Sequence, residues 1–511
     1  MTTIASATVK WPYYEPGAIV DGRRVETVRK QHALVYYGRG DYRVIPSRPI
    51  VCTTHDVIAK VLVTHRCGTD VKIFQSGRPD QAEESLLLEL AQLVGSTHSG
   101  DSTRFLDYVR LLQTGGYDSG FVDALYQDVY AATASFDAED RAALWGNLSR
   151  YWGRIFGHET TVQVVRVGSC VHELSHGIGY MQGESLSSEY LNFQIGERCT
   201  LQSRIAHYLP PAISKPGTRG IQLLGGNITD LAMNQGGAFA QYVRIRPEVI
   251  QSGSIIRLPE TIDDVSAALV EPLACLLDCF QKTAHEIGQD ELGSILRKGV
   301  FPGGNTLVVG SGSMAMMAAM LALSDDPVIK VGGARRVIVA VRSASKQELV
   351  LKILNDPRVS CIICEQDDLL PEAVASHFNR DVSHVSQEAF AGFDDIILAA
   401  GTADTVASAH KVMAPTGARI MTFAGTRGTA RIESGIWHYG NAGVIGTSGC
   451  NTKMMEIAVG LLSRGSINLR PLSGRTYTFT ELQEGGTSQF FTDQYLRPKL
   501  EPNADLPALA W

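Results

Sequence analysis

Hydrophobic and polar positions change their spacing along this chain. Residues 33–65 cluster β-forming side chains, as in Ala33-Leu-Val-Tyr-Tyr37 and Asp56-Val-Ile-Ala-Lys-Val-Leu-Val63, with turn residues at Gly38 to Asp41, and predict a small β-rich unit. From Pro79 to Gly153 apolar residues recur at helical spacing, in Leu86/Leu90/Leu93, Phe105/Val109/Leu112, Val122/Leu125/Val129 and Trp145/Leu148/Trp152. Asp80-Gln-Ala-Glu83 and Asp137-Ala-Glu-Asp140 supply helix-start signals, so residues 79–153 read as a helical insertion. Strand character returns at Thr161-Val-Gln-Val-Val-Arg-Val167 and at Gly237 to Ile245. From Asn305 strands alternate with helices: Thr306 to Val309, Met314 to Leu323, Arg336 to Val341, then Cys361 to Ile363, Asp395 to Leu398 and Arg419 to Phe423. That alternation predicts a parallel, doubly wound sheet.

At 511 residues the chain exceeds one hydrophobic core, so two or more domains are expected. A hydrophobic content of 44% with 19% charged residues is that of an ordinary globular protein. Forty-six basic against 53 acidic residues give a net charge of −7, with no dense Lys/Arg run, which argues against nucleic acid as a partner. The short cluster Arg335-Arg336 with Arg342 suits one phosphate better than a polymer. Nine cysteines, an odd number spread over a long chain, predict reduced thiols rather than a disulfide framework. Met1 to Lys10 lacks the basic start and apolar stretch of a secretion signal, and no later run is long enough to span a bilayer. A cytoplasmic protein with no membrane partner is therefore expected.

The predicted strand ending at Val309 runs into Gly310-Ser311-Gly312-Ser313-Met314-Ala315 and then a helix, the setting in which a backbone approaches a pyrophosphate closely. Ala315 replaces the third glycine and still allows the helix to pack on the sheet. The next strand ends Val341-Arg342-Ser343-Ala344-Ser345-Lys346 with no acid at its tip, where NAD enzymes place a carboxylate on the ribose hydroxyls. Arg342, Ser343 and Lys346 suit a ribose 2′-phosphate, which favours NADP over NAD. Cys67, in Cys67-Gly-Thr-Asp70, and His158-Glu159, after Gly157, offer a thiolate, an imidazole and a carboxylate, the ligand types of a catalytic zinc. Glu271, just before Pro272 at the start of an apolar helix, is the candidate third partner, against the plainer role of an acid at a helix start.

These motifs, in this order, resemble the zinc-containing medium-chain dehydrogenase/reductase family. Ala33-Leu-Val-Tyr-Tyr-Gly, Cys-Gly-Thr-Asp, Gly-His-Glu, Glu-Pro-Leu and the Gly-Ser-Gly turn carry the resemblance. Glu271-Pro272, Phe393-Asp-Asp-Ile-Ile397 and Asn441-Ala-Gly-Val-Ile-Gly-Thr-Ser-Gly449 are similar to its branch of sorbitol dehydrogenases and sorbose-phosphate reductases. The likeness covers about residues 31–78 and 154–470. It implies an α/β fold: a GroES-like β-barrel catalytic domain over residues 1–280 carrying the insertion 79–153, a Rossmann cofactor domain over 281–445, and a segment 446–511 that returns to the catalytic domain. It further implies that Cys67, His158 and Glu271 ligate one catalytic zinc, with Glu159 an adjacent, exchangeable or outer carboxylate. Thr69 matches the hydroxyl residue that contacts substrate oxygen, and Lys72 stands where many relatives have a relay histidine. The four-cysteine structural zinc lobe is missing, since only Cys199 follows Gly196-Glu197-Arg198. The expected partners are a small polar alcohol or ketone substrate and further copies of the chain, as a homodimer or homotetramer.

Two other readings compete. His172-Glu173-Leu174-Ser175-His176 has the form of a zinc metalloprotease motif, but Val167-Gly-Ser-Cys before it and Gly177-Ile-Gly179 after it disfavour the long helix that motif needs. A zinc-free quinone or enoyl reductase of the same architecture would have no use for Cys67, His158 and Glu271 together. Cys361-Ile-Ile-Cys364 falls in a predicted strand, whose alternation turns the two sulfurs apart.

Overall fold

The computed structural model describes residues 15–20, 22–38, 40–76, 88, 103–114, 124–125, 127–129, 131, 154–174, 186–205, 229–230, 236–380, 391–425, 428–493 and 496–506. Packing divides the chain into one unit made of Met1–Leu258 with Arg475–Trp511, and a second made of Pro259–Gly474.

In the first unit the β-rich runs form the long antiparallel pair β1 (Arg23–Gly38) and β2 (Asp41–Thr53). Next comes β3 (Val57–His65), buried at most positions, which explains why it reads as a nearly continuous apolar run. It leads into helix α1 (Gly68–Ser76). Within the expected insertion, helix α2 (Thr103–Thr114) is described, and Phe105, Tyr108 and Val109 turn inward as the helical spacing predicts. Leu125 and Val129 are also buried, whereas the Leu86/Leu90/Leu93 and Trp145/Leu148/Trp152 stretches lie outside the described residues. Strands β4 (Glu159–Val167), β5 (Arg198–Leu201), β6 (Tyr242–Ile245) and β7 (Ile255–Arg257) complete the N-terminal part. They build a seven-stranded sheet in the order β7-β5-β4-β3, continued by Arg497–Leu500 and Ser473–Tyr477, with β6 also on β3. An aromatic core holds this unit together. Tyr42 and Phe74 contact Phe491 with ring centroids 4.4 and 4.7 Å apart, which ties β2 and α1 to the C-terminal residues.

The second unit opens with helix α3 (Val270–Lys282), followed by an antiparallel hairpin over residues 284–298. Its centre is a six-stranded sheet of β8 (Asn305–Val309), β9 (Arg336–Val341), β10 (Val359–Ile363), β11 (Asp395–Leu398), β12 (Arg419–Thr422) and β13 (Gly443–Gly446). All pairings are parallel, in the order β10-β9-β8-β11-β12-β13, the 3-2-1-4-5-6 arrangement of a dinucleotide-binding sheet. Helices α4 (Ser313–Leu323) and α5 (Ala344–Leu354) follow the first two strands, and α6 (Thr452–Ser463) packs along α3. This last contact draws residues 259–280 and 446–474 into the second unit. The sequence had grouped both segments with the β-rich domain, because neither shows a change of period that would mark the boundary.

Candidate active site

Strand register is what brings Cys67 to His158. In the β3–β4 ladder Thr64 pairs with Thr160 and His65 with Glu159, so the residues just after β3 and just before β4 meet at the same end of the sheet. Cys67 lies in the turn between β3 and α1, where its N–H donates to the Asp70 carboxylate at 2.8 Å. Gly157 adopts φ +90°, and a Cβ there would stand 2.6 Å from the Phe239 ring. Only glycine makes the turn that carries His158 to the sheet edge with that ring in place. Gly157→Ala is expected to lower stability by about 2 kcal/mol, from positive-φ strain and crowding together, read as a lower urea midpoint. An unchanged midpoint would refute that account of the turn.

The Cys67 sulfur, a His158 ring nitrogen and a Glu159 carboxylate oxygen lie within 4.8 Å of one another. Arg497, from the C-terminal strand, stands with its guanidinium against Glu159, and both are buried. Burial alone would raise the Cys67 thiol, but His158 and Arg497 outweigh it and hold the thiol below its ordinary value. That favours the thiolate, the form that binds metal. Burial raises the Asp70 carboxyl despite the opposing pull of His158 and of the Cys67 amide. Burial, then Arg497 and Lys499, push His65 well below the usual histidine range, so it is a neutral ring beside the cluster. Thr69 and Lys72 are exposed, one helical turn apart on α1.

Glu271 is buried on the first turn of α3, in the second unit. It belongs there to a cluster with Cys275 and Cys450 whose donor atoms also lie within 4.8 Å, and the Cys275 thiol donates to its carboxylate at 3.6 Å. The hydrogen bond with Cys450, followed by burial, pushes the Cys275 thiol well up. Cys450 carried no motif of its own in the sequence. Arg497 was likewise invisible, because it faces Glu159 only once the C-terminal strand has joined β3.

In the second unit the glycine turn connects β8 to α4 as the sequence predicts. Gly310 has φ +129°, and a Cβ there would meet the Ala400 and Ala315 methyl carbons at 3.1 and 3.4 Å. A Cβ at Gly312 would meet nothing within 4 Å, so the N-terminus of α4 stays open to an anion. Ser313 and Met314 occupy the first turn of α4, and Ala315 is buried against the sheet. A crevice lined by Gly310, Ser311, Val341, Arg342, Asp367 and Thr405 lies past the carboxyl ends of the strands, where the strand order reverses. Arg342 donates to the Glu365 carbonyl at 2.6 Å and pairs with the Asp367 carboxylate. Asp367 accepts the Thr402 hydroxyl at 2.8 Å; burial opposes ionisation, but Thr405, Thr402 and Arg342 hold its carboxyl low. The tip of β9 carries no acid of its own, while the turn after β10 supplies one to Arg342. Ser343 precedes α5 with its hydroxyl 3.1 Å from that of Ser345, and Lys346 is half-buried on the helix's first turn.

Of the protease-like motif, His172 and Glu173 sit on a single 3₁₀ turn, Val171–Glu173, while Ser175 and His176 lie outside the described residues. Burial raises the thiols of Cys361, to about 11, and of Cys364, which donates to the Gln366 carbonyl at 2.9 Å; neither suits redox chemistry. Among the described residues no helix is long and apolar enough to cross a membrane.

No family model matches the chain. It is 27% identical to a sorbitol dehydrogenase of Halalkalibacterium halodurans over 190 residues, 37% of this chain and 43% of the relative. It is 25% identical to an L-sorbose 1-phosphate reductase of Klebsiella pneumoniae over 274 residues, 53% of this chain and 58% of the relative. The chain thus spans about half the length of these curated relatives. The crystal structure of 2R,3R-butanediol dehydrogenase from Bacillus subtilis superposes with a TM-score of 0.56 at 16% identity, covering 93% of this chain and 100% of the other, a likeness of fold. In the order of its motifs and in these two relatives the chain resembles the polyol branch of the medium-chain dehydrogenase/reductase family, and the pairing of a β-rich unit with a 3-2-1-4-5-6 sheet is a likeness of fold to the butanediol dehydrogenase.

Proposed function

We propose that the protein is a zinc-dependent oxidoreductase that exchanges hydride between NADP(H), in preference to NAD(H), and the secondary alcohol or ketone of a polyol, sugar, sugar phosphate or cyclitol. The observation that carries this reading is the Cys67–His158–Glu159 donor cluster, in a chain that also holds a dinucleotide-type sheet with a Gly-Ser-Gly turn. The substrate class rests on the resemblance to sorbitol dehydrogenase and sorbose 1-phosphate reductase. A zinc-free reductase would leave the donor cluster without a role. A metalloprotease has less support among the described residues, since His172 and Glu173 stand on a 3₁₀ turn that Leu174 leaves in an extended conformation rather than on the helix the motif needs.

Thiolate, imidazole and carboxylate together fit zinc. Cys67, His158 and Glu159 would hold it, the resemblance adds Glu271 to the ligand set, and one catalytic zinc per chain follows. When bound, the zinc supplies a Lewis acid to the substrate oxygen and the nicotinamide exchanges the hydride. By the resemblance Thr69 would hydrogen-bond that oxygen and relay its proton outward, through Lys72, which is exposed one turn further along α1, or through water. Asp70 fixes the Cys67 backbone, and Arg497 neutralises the buried Glu159. The turn over Gly310 and Gly312, with Ser313, Met314 and Ala315 opening α4, would take the pyrophosphate. Arg342, Ser343 and Lys346 would take the 2′-phosphate, Arg342 exchanging part of its pairing with Asp367 for a dianion. None of the nine cysteines is in a disulfide, which suits a reducing compartment, and a cytoplasmic enzyme working as a homodimer or homotetramer is part of the proposal.

The test is a screen over polyols, ketoses and their phosphates, read by nicotinamide absorbance with NADP and with NAD. Turnover of at least one such substrate is expected, and none with either cofactor would sink the reading. Arg342→Ala should lower kcat/KM with NADP by about ten- to a hundredfold relative to NAD, since charge-assisted hydrogen bonds contribute about 1.5–3 kcal/mol. An unchanged ratio would remove the basis for NADP.

A further inference from the structure

The turn after β2 and the turn after β4 approach each other at the end of the β3–β4 ladder opposite to Cys67. Val57 pairs with Val167 there, whereas His65 pairs with Glu159 at the Cys67 end. The two ends are eight residues apart along β3 (65 − 57), or roughly 25 Å of strand. The Gly168 N–H donates to the Asp56 carbonyl at 2.8 Å and the Cys170 N–H to the Thr54 carbonyl at 2.7 Å. A Cβ on Gly168 would stand 2.5 Å from the carbonyl oxygens of Thr53 and Thr54, so the close approach depends on glycine.

Both turns are braced from behind. The buried Asp56 carboxylate accepts the Thr53 N–H and the Arg244 Nε, each at 2.7 Å, and Glu26 accepts the Ser169 N–H at 3.2 Å while pairing with Arg166 at 3.1 Å. The consequence is a cluster in which a His55 ring nitrogen, the Cys170 sulfur and a Glu173 carboxylate oxygen lie within 4.8 Å of one another. The Thr54 hydroxyl lies 2.8 Å from His55 Nδ1, orienting the ring as outer-shell partners of metal-binding histidines do. Cys170 and His55 are half-buried and Glu173 is exposed. Tetrahedral zinc with bonds of about 2.0–2.3 Å sets its donors roughly 3.3–3.8 Å apart, which small side-chain rotations here would reach.

We propose that His55, Cys170 and Glu173 form a second metal site, distinct from the Cys67 cluster, that takes zinc, with water completing the coordination. A thiolate and an imidazole select against magnesium and calcium, which take oxygen ligands. The ion cross-links the turns after β2 and β4, and gives Glu173 a use outside a protease motif. Nothing in this site depends on the proposed dehydrogenase activity.

Zinc per chain, measured by elemental analysis in protein purified with zinc present, tests this. His55→Ala and Cys170→Ser are each expected to lose one equivalent while any hydride transfer by the wild type persists. Cys67→Ala is expected to keep one equivalent, and Cys67→Ala combined with Cys170→Ser none. Cobalt loaded into Cys67→Ala should show a thiolate-to-cobalt charge-transfer absorption that the combined variant lacks. Folding of each variant is checked by circular dichroism. Wild-type zinc content in folded His55→Ala and Cys170→Ser would overturn the proposal, and so would a Cys67→Ala protein with no metal and no cobalt absorption.

Discussion

Cys67→Ala is expected to abolish the zinc binding proposed for the Cys67 cluster and to lower the proposed hydride transfer by about a thousandfold or more. Lewis-acid stabilisation of a developing alkoxide contributes several kcal/mol, and each 1.36 kcal/mol corresponds to about tenfold in rate. Alanine also removes the one thiolate of the cluster, whose ionisation His158 and Arg497 favour against burial. His158 and Glu159 would then face each other with no soft donor between them. Zinc content by elemental analysis and initial rates by nicotinamide absorbance read both effects. A variant that kept its full zinc and its full rate would eliminate Cys67 from the centre.

The second large effect is expected at Arg497→Met. Glu159 and Arg497 are 1% and 6% exposed, and removing one partner of a buried ion pair leaves the other charge without solvent or counter-charge. In chelator-treated protein, where no metal can compensate Glu159, the loss of stability should be about 3–5 kcal/mol, read from urea unfolding. Adding Glu159→Gln to Arg497→Met should recover much of it, because no uncompensated charge is then left inside. A single variant as stable as the wild type would mean that Glu159 is satisfied by other means.

The second unit was the more legible part of the chain. Strands of a parallel sheet are buried on both faces, so Asn305–Val309, Arg336–Val341 and Asp395–Leu398 read as apolar runs after their polar first residues, and the glycine turn is a local pattern. The helical spacing of Phe105 and Val109 was legible for a similar reason, since a helix face repeats within a few residues. The domain limits were not. The contact of α3 with α6 that moves them joins segments far apart in the chain, and neither has a pattern that names its partner. Asp367 escaped notice because its meeting with Arg342 needs β9 and β10 side by side.

Linear order thus already specifies the kinds of chemistry in the chain: a thiol, an imidazole and carboxylates in short motifs, and a glycine turn between strand and helix. Those depend on residue type and nearest neighbours, which a sequence displays directly. Which of these groups meet is decided by folding alone. The β3–β4 register sets Cys67 beside His158 at one end of a ladder and His55 beside Cys170 at the other, and the C-terminal strand carries Arg497 to Glu159. Such contacts arise from backbone pairing between segments far apart in the chain, and backbone pairing leaves no mark in the identity of the side chains it brings together.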